Sequence, residues 1–455
     1  MLDTDEANLL SIAAASLHGQ PLYHPILSTD VSYSLMYGPV TFFVYRLALL
    51  SGNGSFLVLR ILVVTLNLLL CAVLYSTFRK LLRRDTAIAL IAFALCPLLQ
   101  WVKCSFGVRP DIGIILAMSL AVRATLMDAE LPAAILTGLC AGIAIDFKLT
   151  VLPAFAFLLL ILFRRFGTRA AAIAAIIATA TALAPFALPA ISLHNYLDLL
   201  ALTRTEGVGH AALIYSLFFA IFLAAPLAIL IAAGTPPWPA ARQAWPELSL
   251  LTLCLVAATL ISAKPGAGPW HFWQLIPVIA GYLALTLSRS EPSPSPRLDL
   301  AICLIAVSSA AFGLSFAARN LATLRAPQDP TAQQLRLGRI EIAAALDRYR
   351  GHTLQMGYGP SPNEPVELLR YLLPLHGQPY TLDGSGRLEA GLVPFPSRIT
   401  QKMNTCTDDL WLIPHDEQPF DHWRFPAALR RAFTQHYAIA QRGAIYDVWA
   451  CRSTH

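Results

Sequence analysis

The sequence carries little charge. Only 13% of its 455 residues are Asp, Glu, Lys or Arg, whereas soluble domains contain about 25%. The chain also lacks a dense cysteine pattern, a heptad repeat and any basic run, although its net charge is +6. These absences exclude a disulfide-rich mini-protein, a coiled coil and a disordered chain, and they do not indicate a nucleic-acid-binding protein.

What is abundant is apolar sequence: 56% of the residues are hydrophobic and the mean hydropathy is +0.58. The 135 residues from Leu321 onward hold 27 charged side chains, and the first 320 residues hold only 33. This division predicts a transmembrane domain over residues 1–320 and a soluble domain over 321–455.

Apolar runs of about 17–25 residues are long enough to cross a bilayer. Ten are predicted: 56–78, 86–102, 110–127, 132–147, 149–163, 170–192, 211–233, 248–263, 271–288 and 298–318. The fourth and fifth are short, and the hinge between them contains Asp146 and Lys148, so they are either two spans or one broken element. Residues 36–50 are interrupted by Pro39 and Arg46, which favours an interfacial helix.

The loops indicate an orientation, because Lys and Arg are retained on the cytoplasmic side. Basic residues cluster after the first, fifth and ninth spans: Arg79, Lys80, Arg83, Arg84, Arg164, Arg165, Arg169, Arg289 and Arg297. Ten crossings place these loops on the cytoplasmic side, with the N-terminus, residues 103–109, 193–210 and 264–270, and the tail on the other side. The chain opens on Met1-Leu2-Asp3 with no signal peptide, so we expect a preceding transmembrane helix to be missing.

The tail is predicted to be a small α+β domain. A helical pattern covers 331–349, and strand-like runs occur at 410–413 and 444–449. Cys406 and Cys451 adjoin these strands and either form a disulfide or remain free thiols. Metal-ligand spacing is not found in the sequence.

Polar residues gather near the predicted non-cytoplasmic face: Asp5, Glu6, Tyr23, Tyr33, Tyr37, Arg109, Asp111, Asp146, Lys148, Lys264 and His271. Three of the four lysines in residues 1–320, namely Lys103, Lys148 and Lys264, lie on this side, where few are expected. Each residue also has a structural explanation, such as an exposed terminus, a helix-start ion pair or a headgroup anchor. Their coincidence on one face favours an anionic lipid ligand.

Several of these residues stand in patterns that resemble a known family. The patterns are Asp5-Glu6-Ala7, Leu17-His18-Gly19-Gln20-Pro21-Leu22-Tyr23, Tyr37-Gly38-Pro39, Arg109-x-Asp111, Lys148 after Gly138 and Gly142, and Trp270-His271-Phe272. Over residues 3–290 the chain resembles GT-C-type membrane glycosyltransferases, which include protein O-mannosyltransferases, lipid A aminoarabinose transferases and Rgt-like transferases. The resemblance implies a GT-C-like polytopic helical fold.

The resemblance also implies site roles. Asp5 matches the general base, with Glu6 supporting it, and Asp111 matches a second acidic position. Lys148 and His271 match groups that face the donor phosphate, and Arg109 and Lys264 join them as neighbouring cations. Tyr23 and Tyr37 belong to the first-loop signature, which we expect to contact the acceptor.

The function that the resemblance implies is transfer of a sugar from a polyprenyl-phosphate carrier, with inversion, and the acceptor expected is a lipid, a glycan or a protein. The resemblance also implies activity outside the cytoplasmic membrane, so the location expected is the periplasmic face of a bacterial inner membrane. No cofactor is expected, because carboxylates can act without a metal, although the sequence leaves a divalent metal open. The alternative is a transporter or lipid flippase, which would place polar residues mid-bilayer instead of at one interface. A membrane scaffold is a third alternative, but it explains neither the acidic pair nor the three lysines.

Overall fold

The computed structural model is mostly helical, with a small sheet near the C-terminus. It describes residues 4–28, 30–31, 33, 36–52, 56–101, 107, 109–202, 207–232, 241–264, 267–288, 296–324, 330–360, 368–382, 395–421 and 425–452. These form two compact units. The first contains Met1–Leu59, Leu188–Thr205 and Ala326–His455, and the second contains Arg60–Ala187 and Glu206–Arg325. The division predicted at residue 320 stays a prediction.

The helices that lie wholly or mostly in the second unit are α3 (Phe56–Leu81), α4 (Arg84–Leu95), α5 (Asp111–Thr125), α6 (Glu130–Phe147), α7 (Leu152–Phe166), α8 (Thr168–Leu183), α10 (His210–Ala232), α11 (Ala241–Ser262), α12 (Leu275–Ser288) and α13 (Pro296–Leu324). Short 3-10 turns cover Cys96–Trp101, Leu149–Val151, Ala184–Ala187 and Pro269–Phe272.

Within the described residues, eight helical segments are long and apolar enough to cross a membrane. They are Leu57–Leu81, Glu130–Phe147, Leu149–Phe166, Thr168–Ala187, His210–Ala232, Trp245–Ser262, Pro269–Ser288 and Pro296–Ser315. The chain is therefore a multi-pass membrane protein. The other two predicted spans, 86–102 and 110–127, fall on the shorter helices α4 and α5. The predicted orientation stays a prediction.

Helices α6 and α8 pack closely because both present small residues at their interface. A Cβ on Gly138 would lie 2.6 Å from the carbonyl oxygen of Ala174, and one on Gly142 would lie 2.7 Å from that of Ala178. Any larger residue would push the helices apart. Small residues give membrane helices this close approach, which dispersion forces then stabilise. The packing fixes the end of α6, from which Lys148 follows.

The first unit combines the start of the chain with its tail. It contains α1 (Thr4–Leu17), α2 (Pro39–Gly52), α9 (Leu193–Leu202), α14 (Pro330–Arg348), α15 (Leu372–Leu375), α16 (Ser397–Asn404) and α17 (Ala427–His436). Its strands are β1 (Leu354–Met356), β2 (Leu410–Pro414), β3 (Tyr437–Gln441) and β4 (Tyr446–Cys451).

The four strands form one sheet in the order β1-β2-β4-β3, with β1 parallel to β2 and the other pairs antiparallel. Its core includes Trp411, Phe420, Phe433 and Tyr437, all fully buried. A disulfide joins Cys406 to Cys451 at the end of β4, with 5.8 Å between the Cα atoms. The expected α+β tail is present, and the segment predicted as an interfacial helix forms the helix α2, whose position at the interface stays a prediction.

Candidate functional site

The acidic pair lies in a helix, whereas the sequence was interpreted as a loop there. Asp5 and Glu6 belong to the first turn of α1, and Glu6 is buried. The side chain of Asp5 lies outside the described atoms. A helix N-terminus favours this position for carboxylates, because its free N–H groups and the helix dipole stabilise negative charge. The helix therefore gives the acidic pair a rigid support.

A hydrogen bond joins the two tyrosines of the first-loop signature. The Tyr23 hydroxyl donates to the Tyr37 carbonyl oxygen at 2.6 Å, and both side chains are buried. The Tyr23 ring also packs against Tyr196, with 5.0 Å between the ring centroids. These contacts indicate that Tyr23 holds the loop in shape, because its hydroxyl is already engaged. Contact with an acceptor stays a prediction for both residues.

In the second unit, Asp111 lies between two cations. Its carboxylate is 3.3 Å from the Nε of Arg109 and 3.8 Å from the Nζ of Lys148. All three side chains are nearly buried, with exposed fractions of 5% for Arg109, 3% for Asp111 and 10% for Lys148. Two cations thus flank one carboxylate at a site that is nearly closed to water, where charged groups need charged or polar partners.

Local structure positions each member of this trio. Asp111 begins α5, where the helix dipole favours a carboxylate. Lys148 has extended backbone dihedrals (φ −160°, ψ 119°), which separate α6 from the turn Leu149–Val151. The predicted hinge is therefore a break between two helices. The guanidinium of Arg109 lies 5.2 Å from the ring centroid of Trp270, a cation–π contact that orients it.

His271 follows Trp270 and lies near the same trio. Its ring is buried and close enough to Lys148 and Arg109 for both positive charges to act on it. Its Nδ1 has no hydrogen-bond partner among the described residues. Asp146, two residues before Lys148, is also buried. Lys264 is half-buried, and Lys103 lies outside the described residues.

The described residues include one group of side chains with the spacing of metal ligands. This group, His415, Asp416 and Asp447 in the tail, has atoms within 4.8 Å of one another. However, the ring Nδ1 bonds to Asp447 at 2.8 Å and the Nε2 lies 3.1 Å from Asp416, which also pairs with Arg442 at 3.0 Å. Because each member is already paired, the group is an ion-pair cluster.

The sequence interpretation missed a polar group at the start of the chain. Asn8, buried in α1, bonds to Arg370 and Tyr380 of the tail. Asn8 lies only two residues after Glu6, so this group adjoins the acidic pair. Arg370 and Asn8 are 362 residues apart, and neither belongs to a recognisable motif.

These features define a class: a multi-pass membrane protein with a buried cationic group and a helix that carries an acidic pair. No protein-family profile and no curated protein sequence matches the chain. Among solved structures, it is similar to ArnT from Cupriavidus metallidurans bound to undecaprenyl phosphate, with a TM-score of 0.59 and 13% identity. The match covers 99% of this chain and 94% of that one.

The apo structure of the same ArnT matches with a TM-score of 0.55, 14% identity and the same coverage. At this identity the similarity establishes the fold, and the chain therefore has the GT-C-like fold that the sequence resemblance predicts.

Proposed function

We propose that this protein is a membrane glycosyltransferase that takes a sugar from a polyprenyl-phosphate carrier. The observation that carries the proposal is the trio of Arg109, Asp111 and Lys148, buried in a unit made of apolar helices. Two adjacent cations in such surroundings match the phosphate headgroup of a lipid with a long hydrocarbon tail. The fold supports the proposal, because ArnT was solved with undecaprenyl phosphate bound.

Arg109 and Lys148 have different tasks in this proposal. The guanidinium of Arg109 presents a planar fork that can donate two hydrogen bonds to phosphate oxygens, and the Lys148 ammonium acts as a point charge. Asp111 pairs with both cations, which holds them in place and offsets their mutual repulsion. As the sugar leaves, negative charge grows on the phosphate, and both cations stabilise it.

The acidic pair of α1 supplies the base. The acceptor hydroxyl attacks the anomeric carbon of the sugar while the bond from that carbon to the phosphate oxygen breaks. Asp5 receives the hydroxyl proton, Glu6 supports it, and the polyprenyl phosphate departs with the bonding electron pair. A single displacement of this kind inverts the anomeric centre. The cation trio and the acidic pair are separate requirements, and each is tested separately.

The remaining assignments concern two further donor-binding residues, the acceptor and the location of the reaction. His271 has a buried Nδ1 for which the described residues offer no partner, so this atom is available to a headgroup. Lys264 is the third cation assigned to donor binding. The acceptor is a lipid, a polysaccharide or a protein. We place the reaction on the outer face of a bacterial inner membrane, with the tail in the periplasm.

Profiling of lipid-linked sugars in cells that lack the protein tests the proposal. We expect one polyprenyl-linked sugar to accumulate and the wild-type gene to clear it. Asp5→Asn should fail to clear it at equal protein level in the membrane, because the variant lacks the base. Asp85→Asn, the same change at an exposed position in the first turn of α4, is the matched control and should clear it.

Two outcomes would contradict the proposal. Clearance by Asp5→Asn would remove this residue from the mechanism. Accumulation confined to the cytoplasmic leaflet would indicate transport of the lipid instead of sugar transfer.

A further inference from the structure

The tail contacts the helix that carries the acidic pair through one buried amide. The Asn8 side-chain oxygen accepts hydrogen bonds from Nη1 of Arg370 and from the Tyr380 hydroxyl, both at 3.4 Å. Asn8 is almost fully buried, with 1% of its surface exposed. Asn8 lies two residues after Glu6, which is a rise of about 3 Å along the helix. These bonds therefore hold α1 at a point close to Glu6.

Arg370 is itself buried and held on the tail side. Its guanidinium lies 4.4 Å from the ring centroid of Tyr358 and donates a hydrogen bond to the Tyr358 hydroxyl. That hydroxyl in turn donates to the carbonyl oxygen of Leu382 at 3.2 Å. A buried guanidinium costs several kcal/mol of desolvation unless its surroundings compensate it. The position therefore needs a reason beyond filling space.

Further contacts join the tail to α1 and to the loop that follows it. The Tyr380 N–H donates to the Gln20 side-chain oxygen at 3.2 Å, and the Tyr380 ring packs against Tyr33 with 5.4 Å between centroids. The His18 ring lies 3.1 Å from the carbonyl oxygen of Leu375. The tail segment that follows Arg370 thus runs along the end of α1 and the loop after it.

We infer that Arg370 is a positioning residue, which holds α1 through Asn8 so that Asp5 and Glu6 keep their geometry. This inference rests on the proposed function, in which that pair supplies the base. A misplacement of about 1 Å at a reacting group can cost about 100-fold in rate. The inference gives Arg370 a role in holding α1 and no role in donor binding, so its loss should spare donor affinity.

The test compares Arg370→Gln and Tyr380→Phe with Arg398→Gln, a matched control that removes an exposed cation paired with Asp30 at 3.2 Å. Three quantities are measured on the full chain: undecaprenyl phosphate affinity in nanodiscs, clearance of the accumulated lipid-linked sugar in cells, and hydrogen exchange of residues 4–17. We expect both test variants to exchange faster in α1 and to clear the sugar at least 10-fold more slowly. Donor affinity should stay within twofold, and Arg398→Gln should match wild type in all three.

Asn8→Asp and Asn8→Leu extend the comparison. The aspartate keeps an oxygen acceptor for Arg370, so it should retain slow exchange in α1, whereas leucine should lose it. If Arg370→Gln fails to fold, Tyr380→Phe carries the test, because it removes one hydroxyl and keeps the ring.

Two results would overturn the inference: unchanged exchange and clearance in Arg370→Gln and Tyr380→Phe, or a loss of donor affinity in parallel with clearance, which would indicate general unfolding. Hydrogen exchange measures the contact without any enzymatic readout. If Asp5→Asn cleared the sugar while α1 still loosened in Arg370→Gln, the proposed function would fail and the structural contact would stand.

Discussion

Replacement of Lys148 by glutamine should weaken the binding of undecaprenyl phosphate. The variant keeps the Arg109–Asp111 pair, whose atoms are 3.3 Å apart, so Asp111 retains a charged partner. Two unit charges about 4 Å apart interact by about 4 kcal/mol at an effective dielectric constant of 20. Desolvation offsets part of this, and a hydrogen bond to a charged group is worth about 1.5–3 kcal/mol net.

Because each 1.4 kcal/mol changes a dissociation constant tenfold, we expect the Kd to rise by about 10- to 150-fold. The assay is titration of undecaprenyl phosphate into nanodiscs that hold the full chain. Lys80→Gln makes the same change at an exposed position near the end of α3 and should leave the Kd unchanged. A Kd within twofold of wild type for Lys148→Gln would refute the assignment of this lysine to the phosphate.

Two further predictions concern the tail. The hydrogen bond that the His415 ring donates to the Asp447 carboxylate raises the pKa of His415 above its usual value of 6.5. The pair therefore stabilises the fold below pH 6.5, and this stabilisation is lost as the pH rises through the raised pKa. Thermal unfolding between pH 6 and 8 should show this decline, and His415→Gln should remove it, whereas an equal decline in the variant would contradict the assignment. The Cys406–Cys451 disulfide closes a separation of 45 residues, so a Cys406→Ala/Cys451→Ala variant should lose about 4 kcal/mol of tail stability. We expect the tail of this variant to be digested faster by a protease. Equal protease resistance in the variant and the wild type would contradict this prediction.

Apolar run lengths predicted most of the helical framework. The run 56–78 corresponds to α3, and 211–233 corresponds to α10. Such runs are informative because a single apolar segment in lipid can satisfy its peptide groups by itself only as a helix, through hydrogen bonds within the segment. The strand-like runs at 410–413 and 444–449 likewise correspond to β2 and β4, whose alternate residues pack into the tail core.

Side-chain partners were much less predictable than helices. Arg109 and Asp111 are two residues apart, so their pairing had a local signal, and the structure forms it. Lys148 belongs to a different helix end, and its place beside Asp111 depends on how α6 packs. The acidic pair was expected in a loop because its apolar context begins only after Glu6; in the structure the helix starts earlier, at Thr4.

The contact between Asn8 and Arg370 makes the stability of α1 depend on the tail, and that of the tail depend on α1. Loss of either side chain would remove one hydrogen bond from the other, although Asn8 would keep its bond from Tyr380 and Arg370 would keep Tyr358. A hydrogen bond to a charged group is worth about 1.5–3 kcal/mol net. Each therefore stabilises the other's segment, and a change in either end alters the free energy of the other. This reciprocity couples the sheet-containing tail to the helix with the acidic pair, although 362 residues separate the two partners.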